Sequence, residues 1–263
     1  MSSNPVFGSD GRNFKSAANQ YASFDAQTPS ADQLQDWYNK PAYTSPRYMS
    51  LDDVVVRTGV TLGTVVVAAG AAWVLDLDGL AIVGALVGFV LAIIVSIKRS
   101  TNPALILSYA ACEGLFLGAI SHVINARYPG IAIQAVVGTA GVFGGMLVVY
   151  KTGAIRVTPK FNRWLMGALF GVVAIMLVNV IASLIVGHDA LGIRGGNPGL
   201  SIVFSLLCIG IAALSFLSDF DMIDQAIRRG VPEKFAWYAA FGLTVTLVWL
   251  YLEILRLLTY LRN

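Results

Sequence analysis

Seven long runs of apolar residues, separated by short connections, constrain the fold of this 263-residue chain more than any other feature. A run of about 20 apolar residues is long enough to cross the hydrocarbon core of a bilayer as a helix. A helix also satisfies its own backbone hydrogen bonds where water is absent. The sequence therefore predicts an all-α membrane protein, a bundle of seven transmembrane helices. The predicted spans are about residues 54–75, 79–97, 103–124, 130–150, 163–187, 199–222 and 235–258.

The composition agrees with a chain that lies mostly in lipid. Only 13% of the residues are charged, against roughly a quarter in soluble domains. The formal net charge of +3 gives no reason to expect a nucleic-acid partner. The first residues contain no apolar core of the length found in signal peptides, so we expect no cleavable leader and insertion through the first span.

The residues before the first span differ from the rest of the chain. Residues 1–49 are rich in Ser, Asn, Gln, Ala and Pro and show no sustained helical or strand period, which predicts a disordered tail. Ser50 followed by Asp53 is typical of a helix start, because the two residues can form a capping box. The sequence thus divides into a tail, residues 1–49, and a transmembrane domain, residues 50–263.

The lysines and arginines outside the spans predict the orientation. Thirteen of them fall in the tail and in connections two–three, four–five and six–seven, whereas three fall in the alternate connections and at the end of the chain. Cytoplasmic segments carry such an excess of Lys and Arg. We therefore predict a cytoplasmic N-terminus and, after seven spans, a C-terminus outside.

Five glycine pairs with a spacing of four residues predict close helix packing. Small residues at this spacing let helix backbones approach each other in lipid. The pairs lie in five consecutive spans and indicate a compact bundle. They are Gly59 with Gly63, Gly84 with Gly88, Gly114 with Gly118, Gly141 with Gly145, and Gly167 with Gly171.

Among the ionisable residues inside the predicted spans, four stand out, because a charge at membrane depth costs at least ~2.5–3.5 kcal/mol and so suggests a function. Glu253 and Arg256 are three residues apart and can form an ion pair on one helix face. Glu113 has no local partner, so Arg256 is also a candidate partner for it, in a latch between spans three and seven. Asp219 shares a helix face with Ile223 and should point into the bundle, which makes it a candidate proton sensor or cation ligand.

Catalytic motifs are missing from the sequence. It contains no HExxH, no GxSxG and no P-loop. We therefore predict that the protein is not an enzyme and that it needs no cofactor.

Several segments make the chain resemble the Bax inhibitor-1 family, the transmembrane Bax inhibitor motif proteins. The resemblance rests on seven spans, on the pattern D-x-x-x-I from Asp219 to Ile223, and on an aromatic-rich last span. The likeness is greatest to an actinobacterial-type branch, in SNPVF, SLDDVVVRTGVTLGT, RVTPKFNR and AAFGLTVTLVWLYLEILRLL. It implies a bundle whose last helix is central, in the bacterial cytoplasmic (inner) membrane.

The resemblance also implies a pH-sensitive calcium leak. In the family, two aspartates on the sixth and seventh helices share a proton, since two carboxylates in contact cannot both ionise easily. Asp219 matches the first aspartate. The local sequence LYLE makes Glu253 the second, whereas an ungapped alignment from LRLL places Thr246 there; Glu113 is a third candidate partner.

The expected function is therefore a monomeric cation leak channel for Ca²⁺, with Asp219 as sensor or Ca²⁺ contact and Arg256 in a structural latch. The alternative is a non-conducting membrane protein that binds and modulates other membrane proteins, such as a quality-control protease. The two hypotheses predict that function depends on different parts of the chain. A channel depends on Asp219, whereas a modulator depends on the tail.

Overall fold

The computed structural model describes residues 30–32, 34–35, 47–186, 191–193 and 197–262. The chain separates into two units, residues 1–45 and 46–263. Most of the predicted disordered tail therefore lies outside the described residues. Its last residues, 47–49, are described and belong to the larger unit.

Within the described residues, seven helices are long and apolar enough to cross a membrane, which confirms the predicted number of spans. A short 3-10 turn, Asp78–Leu80, precedes the second. The sixth helix continues six residues beyond its predicted end, because Asp224 and Arg228 pair on its surface one turn apart and extend it past the apolar run. The helices are α1 Leu51–Val74, α2 Ala81–Lys98, α3 Pro103–Arg127, α4 Ile131–Thr152, α5 Pro159–Val186, α6 Pro198–Arg228 and α7 Phe235–Arg262.

Local sequence explains where these helices begin. The Ser50 side chain accepts a hydrogen bond from the Asp53 amide while the Asp53 carboxylate accepts one from Ser50, so the predicted capping box is present. Asn102 and Asn197 cap α3 and α6, and a proline follows each of them at the first helical position. Proline suits that position because the first amides of a helix have no partner within it.

The helices are buried to different degrees. The last helix, α7, packs against α1, α3, α4 and α6, and half of its most apolar window is buried. In contrast, α2 packs mainly on α3, and α5 packs on α6 with only 11% of its apolar window buried. In the part of the chain that the structure describes, α5 therefore leaves most of its surface to lipid.

Two of the five predicted glycine pairs lie at helix contacts. Gly114 and Gly118 of α3 pack on the backbone of α1, and Gly84 and Gly88 of α2 pack on α3. At the other three pairs, an added Cβ would meet no described atom within 4 Å. The expectation that all five pairs hold helices together is therefore wrong for three of them, since spacing alone does not say which face a neighbour occupies.

The two ends of the bundle are each closed by contacts distant in sequence. At the end where α1 begins, here called the entry end, residues 47–49 pair with the connection between α6 and α7. At the opposite end, the far end, Arg262 donates to the Pro129 carbonyl at 3.0 Å and to Gln134 Oε1 at 2.9 Å. The last helix is thus held to the α3–α4 connection and the first turn of α4.

Candidate functional site

A carboxyl group contacts a hydroxyl group between α6 and α7. Asp219 is half-buried on α6, between the buried side chains of Phe216 and Phe220. It lies about two and a half turns before α6 ends, because a helix has about 3.6 residues per turn. Its Oδ2 accepts a hydrogen bond of 2.8 Å from Thr246 Oγ1 of α7. Thr246 is only 8% exposed.

The Thr246 hydroxyl has a second acceptor within its own helix. Its Oγ1 lies 3.2 Å from the Gly242 carbonyl, one turn earlier on α7. A hydroxyl has one proton to donate and two lone pairs that accept. Thr246 can therefore donate to an ionised Asp219, or accept from a protonated Asp219 while donating to Gly242.

The structure thus selects between the candidate partners of Asp219. Thr246, the residue that the ungapped alignment places opposite Asp219, makes the contact. Glu253 lies seven residues further along α7, about 10 Å along the axis at ~1.5 Å per residue. The local likeness of LYLE to the family sequence is therefore misleading about this position.

Glu253 instead forms the ion pair that its spacing from Arg256 predicts. Arg256 Nη1 donates to Glu253 Oε1 at 3.0 Å. Glu253 is 2% exposed, whereas the side chain of Arg256 is 32% exposed. The cation therefore reaches towards the surface of the bundle from a buried carboxylate, and the pair stays within α7.

Glu113 lies against α2 rather than against α6. A Cβ added to Gly88 would be 3.1 Å from Glu113 Oε1, so the absence of a side chain at Gly88 leaves room for this carboxyl group. Among the described residues, Glu113 forms no ion pair with Arg256 and no hydrogen bond with Asp219. The structure therefore does not bring Glu113 into the Asp219 contact.

The sequence did not predict two polar networks, one at each end of the bundle. At the entry end, Arg57 of α1 donates to both the carbonyl and the carboxylate of Glu233 in the α6–α7 connection. At the far end, His122 of α3 contacts Asp78 at 3.0 Å and Asp76 at 3.5 Å. The position of Arg57, one turn into an apolar span, indicated that it has an acidic partner. No sequence pattern near Arg57 identified that partner as Glu233.

Comparison with known proteins supports the resemblance. No curated protein matches the chain. The match to the Bax inhibitor 1 like family covers residues 4–263, nearly the whole sequence. With seven membrane-spanning helices, the chain therefore belongs to the Bax inhibitor 1 like family.

Proposed function

We propose that this protein is a pH-sensitive cation leak channel in which Asp219 is the proton sensor and a contact for the passing ion. One observation carries the proposal. A carboxyl group lies at membrane depth inside a seven-helix bundle, held across a helix interface by one hydroxyl group. Ionisable groups in such positions are rare and commonly belong to ion or proton pathways.

The contact can persist in both protonation states of Asp219. At low pH the neutral carboxyl group donates a hydrogen bond to Thr246 Oγ1, and the Thr246 hydroxyl donates its own hydrogen bond to the Gly242 carbonyl. At higher pH the carboxylate accepts the Thr246 proton instead. Deprotonation therefore reverses the direction of the hydrogen bond and adds one negative charge between α6 and α7.

That added charge favours water and cations between the two helices. A carboxylate with a neutral hydroxyl as its donor is poorly compensated in an apolar interior. Water or a cation entering beside Asp219 relieves this cost, so flux should rise with pH. Ca²⁺ takes six to eight oxygen ligands, and the described residues contain no cluster of three or more His, Cys, Asp or Glu that could hold a metal. We therefore infer a passing ion rather than a stored one.

The proposal also specifies the orientation, the oligomeric state and the membrane of the protein. We place the entry end in the cytoplasm, because thirteen of the sixteen Lys and Arg outside the spans belong to the tail or to connections two–three, four–five and six–seven of the sequence. We place the protein as a monomer in a bacterial cytoplasmic membrane, with α7 as the central helix; its packing against four other helices supports that position. Arg256 with Glu253 forms a structural latch, and the proposal includes no catalysis and no cofactor.

Ca²⁺ flux into liposomes containing the purified protein, measured from pH 5 to 8, tests the function. Wild type should leak more at high pH, and Asp219→Asn should leak little at every pH, because it keeps the contact but never ionises. Asp221→Asn is the matched control, since that carboxylate accepts from Gln225 on the same helix and should leave the flux unchanged.

An absence of flux from folded wild-type protein would overturn the channel proposal. The non-conducting modulator would then be the better hypothesis. It predicts that deletion of residues 1–45 abolishes function in cells, whereas Asp219→Asn has no effect.

A further inference from the structure

The segment that leads into α1 is paired with the connection between α6 and α7. We call residues 47–50 the strap. The Met49 amide donates to the Val231 carbonyl at 2.9 Å, and the Glu233 amide donates to the Arg47 carbonyl at 2.9 Å. Tyr48 thereby lies opposite Pro232 in an antiparallel bridge. Its ring covers Gly230, whose φ of +63° ends the helix.

Glu233 joins this bridge to α1 through charge. Arg57 donates from one nitrogen to the Glu233 carbonyl and from another to its carboxylate. Arg47 approaches the second carboxylate oxygen at 3.6 Å and also contacts Asp53 at 3.1 Å. The backbone and the side chain of Glu233 therefore both hold the α6–α7 connection to the start of α1.

The same network reaches the first turn of α7. The guanidinium of Arg57 lies 5.6 Å from the centre of the Trp237 ring, a distance at which a cation is attracted to an aromatic face. The side chain of Arg57 is only 14% exposed. Hydrogen bonds between charged groups are stronger than those between neutral groups, so we expect these contacts to hold the connection firmly to α1.

The strap also packs into a buried cluster that contains residues of α6 and α7 near Asp219 and Thr246 in the sequence. Met49 is 3% exposed and belongs to the same buried cluster as Phe216 and Phe220, which flank Asp219 on α6, and Leu243 of α7. The α6–α7 connection joins the two helices that carry the contact. Its position and the spacing of those helices are therefore mechanically linked.

We propose that Glu233 is a positioning residue for the Asp219–Thr246 contact. By holding the α6–α7 connection against the strap and Arg57, it keeps α6 and α7 close enough for the hydrogen bond. Release of the strap lets the two helices separate at the entry end. This inference rests on the proposed function for its effect on flux, but its structural part stands without it.

Hydrogen exchange on the folded protein tests the structural part. Glu233→Gln should speed amide exchange in residues 225–237 roughly tenfold or more, because it removes charge-assisted hydrogen bonds. Exchange should also rise around Thr246 if Glu233 positions that contact. Asp52→Asn is the matched control, since Asp52 is an exposed carboxylate in the first turn of α1, at the same end of the bundle, and should change neither region. A change confined to residues 225–237 would overturn the positioning role.

A reversible crosslink tests the effect on flux. Tyr48 and Pro232 form a non-hydrogen-bonded antiparallel pair, in which the Cα atoms are about 4.5 Å apart, within the range of a disulfide. Tyr48→Cys/Pro232→Cys, built with Cys112 and Cys208 replaced by serine, should leak several-fold less when oxidised and recover on reduction. Flux equal in both redox states would overturn the inference. If wild type shows no flux at all, the proposed function fails and the exchange experiment still decides the positioning role.

Discussion

Thr246→Val is the most direct test of the site, because valine keeps the shape of threonine and removes only the hydroxyl group. In the wild type that hydroxyl is 2.8 Å from Asp219 Oδ2. The substitution leaves the ionised carboxylate without this donor and the protonated carboxyl group without this acceptor. Both protonation states lose a hydrogen bond, so the difference between the two losses in free energy determines how far the pH at half-maximal flux shifts.

The size of this pH shift follows from the strengths of the hydrogen bonds that Thr246 makes with the charged and with the neutral form of Asp219. A hydrogen bond to a charged group contributes about 1.5–3 kcal/mol, and a neutral one about 0.5–1.5 kcal/mol. The charged state therefore loses about 1–1.5 kcal/mol more. Since about 1.4 kcal/mol corresponds to one pH unit, the pH at half-maximal flux should rise by about one unit.

The assay is Ca²⁺ flux into liposomes across pH 5 to 8, with Thr244→Val as the matched control. Thr244 is fully buried on α7, and its hydroxyl donates to the Ala240 carbonyl of its own helix. The control should keep the wild-type midpoint. A Thr246→Val curve that coincides with the wild-type curve would refute the assignment of Asp219 and Thr246 as the sensor contact.

Three further predictions concern the site and the packing. Thr246→Asp should make flux depend more steeply on pH and open at higher pH, because two carboxylates in contact share a proton and repel when both ionise; the same flux curve measures it. Gly118→Ala should lower the melting temperature in detergent, because its Cβ would fall within 3.0 Å of the α1 backbone, whereas Gly171→Ala, with no described atom within 4 Å, should not. Breaking a fully buried ion pair by removing one partner costs ~3–5 kcal/mol. Glu253→Ala should destabilise the fold by less than this, because the side chain of Arg256 is 32% exposed and can reach water. Thermal unfolding of Glu253→Ala, compared with that of Arg256→Gln, measures the difference.

The helices could be predicted from the sequence because their cause is local. An apolar run long enough to cross a bilayer must be helical, and the capping residues Ser50, Asn102 and Asn197 lie at the helix starts. The end of α6 was placed too early for a related reason. Apolarity marks the lipid-facing part of a helix, whereas Asp224 and Arg228 continue the helix as a polar surface.

The partner of Asp219 was harder to predict because two registers of the last helix were possible. The local match to LYLE favoured Glu253, whereas the ungapped alignment from LRLL favoured Thr246. The alignment is the better guide, because it places Thr246 at the level of Asp219, and two side chains on adjacent helices can meet only at the same level of the bundle. The contact between Arg57 and Glu233 joins residues 176 positions apart, and no pattern of spacing within the sequence relates two such residues.

In the proposed channel, the hydroxyl group of Thr246 stands where the family resemblance implies a second carboxylate, and this changes how the gate would work. Two aspartates that share a proton are driven apart by repulsion once both ionise. Asp219 and Thr246 carry one charge at most, and their hydrogen bond can form with either protonation state. Ionisation of Asp219 therefore attracts water and cations but does not by itself push α6 from α7. In the proposed channel the separation of these helices must then be controlled elsewhere, and the charged junction of Glu233 with Arg57 and the strap lies at the connection between them. We therefore propose that protonation of Asp219 controls whether a cation is attracted, and that the strap controls whether α6 and α7 are far enough apart to admit it.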